Sequence, residues 1–555
     1  EATTYADWAA VGAAQTEAGL KTSGALAGSG TVDDPWKIGK PEALAWFASK
    51  VNAGELTSEY QNVQITANID LYGEGFGGTV DAPLYWEPIS TYSGTFDGKG
   101  FVIDYLWGIK TRDNLGLFSI IENVVIQNVR IGANSYLNGG RVGGIAGMSQ
   151  GTNRILNCIS KAEIVATEYG GGIVGNVSGI LNVTKCGNEG KISGGGLIAG
   201  IVGWYSSGAS ANENTLMDCY NTGEIVNNNN LQDGVSGIAG IWGADRARAV
   251  NCYNAGSMSG KAARFGILSR GNIDNTSNCY IRSGNGALAP SAGVTSITQK
   301  QLQSWGAAYA LNDQSMDGAW KYIEGEYPSI GTLAPPPDWS AVGQGIIDGL
   351  VASPALPEGD GSSTNPYKIG SAEHLGVFAA KVNAGNTDVS ATLLMDINLT
   401  GERYNGTAAN PIPWKPVGTS SYVYKGIFDG NGKAIGYMNV VEDGYAGLFG
   451  CAGGGAVIKG LGLYTTCSVT ASGTAGGDGA AAFVGTVKSD GVTEKQITIQ
   501  NCYNRASVTG KTGMTGAFIG NYEGTTGAGT QQISNCYTTG RITTSSGTPG
   551  AIAGA

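Results

Sequence analysis

VGGIAGMSQGTNRILNCISKAEIVATEYGGGIVGNVSGILNVTKCGNEGKISGGGLIAGIVG, residues 142–203, states one short signature three times. A Gly-rich block ends at Gly147, at Gly175 and at Gly203, in equal steps. Cys158 and Cys186 each stand the same distance before the last glycine of the next block. Segments such as RILNCIS, AEIVA and GGIVG are short, β-rich and broken by Gly, Asn and Ser, so they read as strands and turns. The stretch from one block to the next fits three short strands and three corners. One such coil cannot bury its inward face alone, but a stack of them can. The stretch therefore predicts an all-β solenoid, a right-handed parallel β-helix, with handedness taken from general crossover chirality. Glycine then serves corners with positive φ and tight packing near the axis.

Working outward, the block recurs at Gly240 and, in a second array, at Gly450, Gly485, Gly520 and Gly554. The cysteine signature recurs at Cys219, Cys252, Cys279, Cys467, Cys502 and Cys536, and RFGILS carries a degenerate block with Ser269 in the glycine place. With Cys158 and Cys186 these cysteines are expected to stack as one inward ladder of buried small side chains, beside asparagines that hydrogen-bond along the stack. The arrays belong to a longer duplication. DWAAVG from Asp7 returns as DWSAVG from Asp338, DPWKIG as NPYKIG, and KVNAG from Lys50 as KVNAG from Lys381, all with one common offset. The expected organisation is a first module over 1–334, a Pro/Gly-rich linker over 335–366 and a second module over 367–555. Open solenoid ends need covers. A capping helix is expected at about 41–53, with Leu44, Phe47 and Val51 on one face. Its copy carries Leu375, Phe378 and Val382 behind Ser371 as N-cap. A closing helix is expected at about 299–311, and coils fill about 94–290. The second module has no counterpart of the closing helix, and the chain begins at Glu1, so it is expected to be a piece of a longer polypeptide.

The totals narrow function. Glycine supplies 92 of 555 residues, yet 41% of the chain is hydrophobic and only 14% is charged, which excludes collagen and simple disorder. A net charge of −11 argues against nucleic acid and against a polybasic membrane contact. His374 is the only histidine, so His-based zinc and metalloprotease sites are excluded, and its place in the other copy is taken by Ala43. No CxxC pair occurs. No cofactor or metal site is expected.

The pattern G-[GA]-[IF]-[VAI]-G, NCYN-x-G and I-x-G, with the lead-ins WEPIS…GTFDGKG and WKPVG…GIFDGNG, resembles the GLUG-motif repeats of bacterial surface proteins over residues 36–290 and 367–555. The resemblance implies a large secreted or wall-anchored protein, adhesin-like or IgA-protease-like, with free cysteines suited to an anaerobic niche. It supplies no catalytic residues.

Four further places could carry chemistry. Asp97 and Asp429 of FDG read as tight-turn residues, with Asp70 placed like Asn398 in the other copy. Asp245, Arg246 and Arg248 read as a surface loop, and Asn227 to Asn230 as a polar turn. The arm from Trp204 to Cys219 is the longest in the first array, and solenoid insertions tend to cluster on one binding edge. Trp204, Tyr205 and Trp242, just after repeat glycines, are therefore candidates to stack on sugar rings or a protein partner, against the alternative that they pack between coils. The reading is a rod-like, non-catalytic extracellular adhesin or spacer, partnered by a glycan or host protein and by further domains of its own polypeptide. The alternatives are a β-helix polysaccharide lyase or glycoside hydrolase, and a non-catalytic segment of a large secreted protease.

Overall fold

The computed structural model describes residues 4–206, 208–210, 213–230, 234–241, 246–269, 275–287, 293–472, 479–489, 496–511, 514–523, 531–546 and 549–552, the Arg112 side chain excepted. Two compact units divide the chain, Glu1–Leu302 and Gln303–Ala555. Both are parallel β-solenoids.

In the first unit a coil runs through Thr152–Leu156, Ile159–Ser160, Glu163–Gly171 and Val174–Val177 before Ile180–Thr184 opens the next. That is one strand segment more than the three expected, because Asn157 and the residue after it turn the chain between Thr152–Leu156 and Ile159–Ser160, which belong to different sheets. Each segment pairs in parallel with its counterpart one coil on: Ile155 with Val183, Ile164 with Ile192, Val174 with Val202. The walls grow into sheets of ten, nine, nine and five strands. An apolar file runs up the inside of one wall, from Phe96 through Ile126, Ile155, Val183 and Leu216 to Ala249, all fully buried. The second unit repeats the plan on sheets of six, five, four, three and two strands.

The repeat glycines mark the place where two walls touch. A Cβ on Gly175 would lie 2.7 Å from both the Gly147 carbonyl oxygen and the Val142 nitrogen, closer than any side-chain carbon sits. Its φ is not positive. The sharp corners fall instead to Asn157, Lys185, Asp218, Asn251 and Asn278, with φ of 50°, 57°, 55°, 54° and 52°. Asn and Asp tolerate that left-handed conformation best among residues with a Cβ.

These corner residues directly precede the cysteines. Asn157 donates to Asn128 at 2.8 Å and Asn278 to Asn251 at 2.9 Å, forming an outer ladder that Lys185 interrupts. An inner, fully buried ladder runs beside it: Asn188 donates to Asn221 and Asn221 to Asn254, each at 2.8 Å. Between the two stand Cys158, Cys186, Cys219, Cys252 and Cys279, buried and unoxidised. The Cys158 N–H donates to the Cys186 sulfur at 3.3 Å, and the Cys252 thiol donates to the Leu216 carbonyl of the preceding coil at 3.4 Å. Burial pushes the Cys252 thiol well above its usual range.

The second unit departs from a single cysteine ladder. Cys502 and Cys536 do occupy this corner, one coil apart, but the position below them is Leu461. Cys467 precedes the strand Ser468–Ala471 and has Ala506 as its neighbour in the next coil. It thus lines a different wall, because Tyr464 to Thr466 insert a turn before it. Cys451 is buried in the strand Phe449–Ala452.

Helices close the opening coil of each unit. In the first they are α1 (Trp8–Ala14), α2 (Glu17–Thr22) and α3 (Pro41–Asn52). Asp7 caps α1 by accepting from Ala10 N at 2.8 Å. Gly12 lets α1 press on α3, where a Cβ would stand 2.2 Å from the Ala45 carbonyl oxygen. Beneath α3, Phe47, Tyr92, Phe96 and Phe118 form an aromatic plug with neighbouring centroids 4.7 to 6.4 Å apart.

The helical segment expected to close the first module is in two pieces: α4 (Gln299–Leu302) and α5 (Trp305–Leu311), with Ser304 capping the latter. The structure groups α5 with the second unit. Trp305 and Tyr309 stack at 4.8 Å, and Tyr404 meets both edge-on at 5.6 Å. The segment read as a linker also belongs there: α6 (Trp339–Ile347), capped by Asp338, lies on α7 (Ala372–Asn383), with Gly343 against Gly376 as Gly12 is against Ala45. Phe378, Tyr424, Phe428 and Phe449 form the matching plug.

Two measurements follow. Gly175→Ala is expected to lower stability by about 2 kcal/mol, seen as a shift in urea midpoint, because the walls must part. Iodoacetamide at pH 8 is expected to modify none of the five first-unit ladder cysteines until denaturant is added, since only the thiolate reacts.

Candidate functional site

Trp204 and Tyr205 are buried, at 4% and 0% exposure. Tyr205 points inward on the strand Val202–Tyr205, one coil above Val177. The Trp204 ring lies across the next coil's repeat glycine, where a Gly240 Cβ would stand 2.7 Å from the indole. They form no open stacking edge; Gly240 makes room for the indole between coils. Trp242 and Asp245 lie outside the described residues. Arg246 Nη1 donates to the Ala209 carbonyl. Asn227 is buried and its Oδ1 accepts from Asn229 N at 2.9 Å, a turn contact. His374 accepts from Gly370 N at Nδ1 (3.2 Å), so Nε2 carries the proton toward the Ala355 carbonyl at 2.9 Å. Both ring nitrogens are engaged with backbone.

Asp97 is a saturated corner. It accepts from Lys99 N at 2.8 Å and from Gln127 and Asn128 at 2.9 Å, and it pairs with the Lys99 ammonium at 3.0 Å. Burial alone pushes this carboxyl up, but the Asn128, Lys99 and Gln127 donors outweigh it and hold it below its ordinary value. Asp429 holds the same corner, with Asn431 N at 2.8 Å and Lys459 at 3.1 Å.

The residues that come together are ones the sequence reading did not single out. The strand Trp107–Leu115 pairs with Tyr136–Gly143, but the register jumps from Gly139–Lys110 to Arg141–Asn114. Residues 111–113 thus arch out opposite a single residue, Gly140. The arch brings Lys110, Asp113 and Asn114 to the rim of a cleft of about 350 Å³ shared with Glu87, Ser90 and Arg141. A second hollow of about 220 Å³ continues past Glu87 to Asp7 and Tyr85. Glu87 is placed by its neighbour: Trp86 N donates to the Trp107 carbonyl at 2.7 Å and the indole N–H to the Leu117 carbonyl at 3.1 Å. Lys110 Nζ then meets both Glu87 oxygens, at 2.7 and 2.6 Å, and Arg141 meets Glu168 at 3.1 Å.

The second unit builds the same corner with the charges exchanged. Trp414 N donates to the Asn439 carbonyl at 2.8 Å and its indole N–H to the Leu448 carbonyl at 3.0 Å. The next residue is Lys415, paired with Glu442 at 3.0 Å. The Glu87–Lys415 correspondence is visible in WEPIS and WKPVG. The Lys110–Glu442 correspondence is hidden, because the stretch joining the two positions is longer in the second copy and the offset between copies has shifted. What survives in both units is an ion pair, with no fixed position for the acid.

No family model matches the chain. Over 175 residues, 29% of this chain and 2% of the relative, it is 30% identical to halomucin of Haloquadratum walsbyi. Over 117 residues, 21% of this chain and 13% of the relative, it is 30% identical to a protein of Evansella cellulosilytica named as a candidate Gly-rich membrane protein. The chain thus spans only a small part of each relative's length. The crystal structure of a candidate immunoglobulin A1 protease from Bacteroides ovatus aligns with 55% of this chain and 94% of its own, at 18% identity and a TM-score of 0.41. Among the described residues, no helix is long and apolar enough to cross a membrane, and no group of three or more His, Cys, Asp or Glu side chains is placed to hold a metal ion.

Two outcomes test this geometry. A folded carboxyl below its unfolded value adds stability that is present above about pH 4 and is lost as pH falls through the folded value. Asp97→Asn is therefore expected to cost about 1–3 kcal/mol at pH 7 and to flatten the acid side of the stability–pH curve below pH 4. Both members of the Glu87–Lys110 pair are partly exposed, so solvent screens it. Lys110→Glu is expected to cost under about 1 kcal/mol in urea titrations, and adding Glu87→Lys to restore most of that loss.

Proposed function

We propose that the chain is part of a non-catalytic extracellular surface protein of a bacterium, in which the two solenoids act as adhesive or spacing modules toward a glycan or a host protein. One observation carries the reading against an enzyme. At the corner beside the cleft the first unit holds a carboxylate, Glu87, where the second unit holds Lys415, and each is neutralised by a partner of opposite sign. A general acid or nucleophile cannot be replaced by lysine without losing the chemistry, whereas an ion pair works in either order. A lyase or glycosidase mechanism shared by the copies therefore cannot rest on Glu87. The resemblance to GLUG-repeat surface proteins and the names of the relatives, halomucin and a Gly-rich membrane protein, support a surface or secreted location. The reading as a non-catalytic segment of a secreted protease makes the same statement about these residues and differs only in what adjoins them.

Two assays test the proposal. Antibodies to the chain are expected to label intact cells of its source; labelling only after lysis would remove the surface assignment. Incubation with pectate, alginate, hyaluronan and xylan is expected to release no products. Product formation abolished by Glu87→Gln would restore the enzyme reading.

A further inference from the structure

Two hollows lie side by side on the opening coil of the second unit. One, of about 380 Å³, is lined by Glu373, Met395, Asp396, Asn398 and Tyr404 among others. The other, of about 280 Å³, is lined by Asp396, Asn398, Tyr437, Tyr464 and Thr466 among others. Both include Asp396, Ile397 and Asn398, so they form one groove. Ile397 is buried, and the residues on either side of it on an extended chain project to the opposite face. Asp396 and Asn398 thus stand together on the groove floor.

Each is held in a definite pose. Asp396 Oδ1 accepts from Ala434 N at 2.9 Å and Oδ2 from the Tyr464 hydroxyl at 2.8 Å. Asn398 Oδ1 accepts from Thr400 N at 2.9 Å and from the Thr400 hydroxyl. Its amide nitrogen is left as the donor presented to the groove. Tyr437 adopts φ of 59°, a left-handed conformation that costs a residue with a Cβ about 1–2 kcal/mol. Tyr105 adopts φ of 55° at the matching corner of the first unit. Where the corners beside the cysteines use asparagine, aspartate or lysine, both units keep an aromatic ring at this one despite the strain. Both also keep an acid and an amide flanking a buried isoleucine: Asn68-Ile69-Asp70 in the first unit, Asp396-Ile397-Asn398 in the second.

A carboxylate acceptor and an amide donor side by side match two neighbouring hydroxyls, and a tyrosine face matches the C–H face of a pyranose ring. The 280 Å³ hollow, where Tyr437 and Tyr464 stand, has no basic residue in its lining; Arg403 lines the other hollow beside Glu373 and Glu402, and Asp396, common to both, disfavours acidic sugars. We propose that this groove binds a neutral oligosaccharide, with Asp396 and Asn398 holding adjacent hydroxyls of one ring and Tyr437 and Tyr464 packing on its face. The proposal rests on the adhesive form of the function above and names its ligand class and site.

Saturation-transfer NMR on the whole chain tests it, with mannotriose, chitotriose, maltotriose and trigalacturonate as probes. At least one neutral trisaccharide is expected to bind and trigalacturonate is not. Asn398→Asp keeps the Oδ1 acceptor that Thr400 needs but removes the amide donor, and is expected to weaken binding at least tenfold. Tyr437→Gly relieves the left-handed strain, so its melting temperature is expected to hold or rise while binding again falls at least tenfold. Failure of every neutral trisaccharide to bind, or tighter binding of trigalacturonate, overturns the proposal. Binding that both variants leave unchanged moves the sugar to another face, which removes this groove and leaves the adhesive reading standing. Surface labelling of intact cells bears on the location alone.

Discussion

At the repeat glycines Gly147, Gly175 and Gly203 two walls meet backbone to backbone, and the remaining architecture follows from that close approach. The Cβ that Gly175 lacks would have to occupy the space of the Gly147 carbonyl oxygen and the Val142 nitrogen. With the walls that near, little width is left for side chains, so above Phe96 the interior file is aliphatic and ends in Ala249. A coil that matches its neighbour in cross-section can pair with it strand for strand, which is how short two-residue segments such as Ile159–Ser160 persist. Their individual hydrogen bonds are few, and their stability comes from the stack.

The corner beside the cysteines shows how the chain turns without glycine. Asparagine, aspartate and lysine take the left-handed conformation there, and the asparagines recover part of its cost through amide-to-amide bonds between coils. A thiol is small enough to sit inside such a corner and adaptable enough both to accept an N–H and to donate to a carbonyl of the preceding coil. In the second unit Leu461 fills the same corner, so the position demands a compact apolar group and sulfur chemistry is incidental to it.

Much of this was legible in the sequence, and the misses have physical causes. Parallel coils, their stepping and the helices over Pro41–Asn52 and Ala372–Asn383 follow from periodicity, because glycine contacts and helix faces leave regular spacings. DWSAVG was legible as a copy of DWAAVG but not as a helix, and the prolines at 335–337 drew the segment into a linker; Asp338 and Gly343 are a helix cap and a helix-crossing contact. Cys467 fitted the spacing while lining another wall, since sequence distance counts residues and cannot see the turn at Tyr464 to Thr466. For Trp204 the sequence left two readings open, an exposed stacking face and packing between coils; the structure has the second, with the next coil's glycine under the ring. The polar cleft stayed hidden because it joins residues from separate coils through a register jump that has no motif.

The exchanged ion pair bears on how the duplicated gene can change. Two long repeats in one reading frame invite recombination between copies. A crossover falling between the codons for Glu87 and Lys110, or at the matching place in the other copy, would join Glu87 to Glu442 in one product and Lys415 to Lys110 in the other. Each product would set like charges face to face at the coil beneath the capping helices, a penalty where the parent copies have an attraction. The opposite orders of the two pairs thus make each opening coil electrostatically matched only within its own copy.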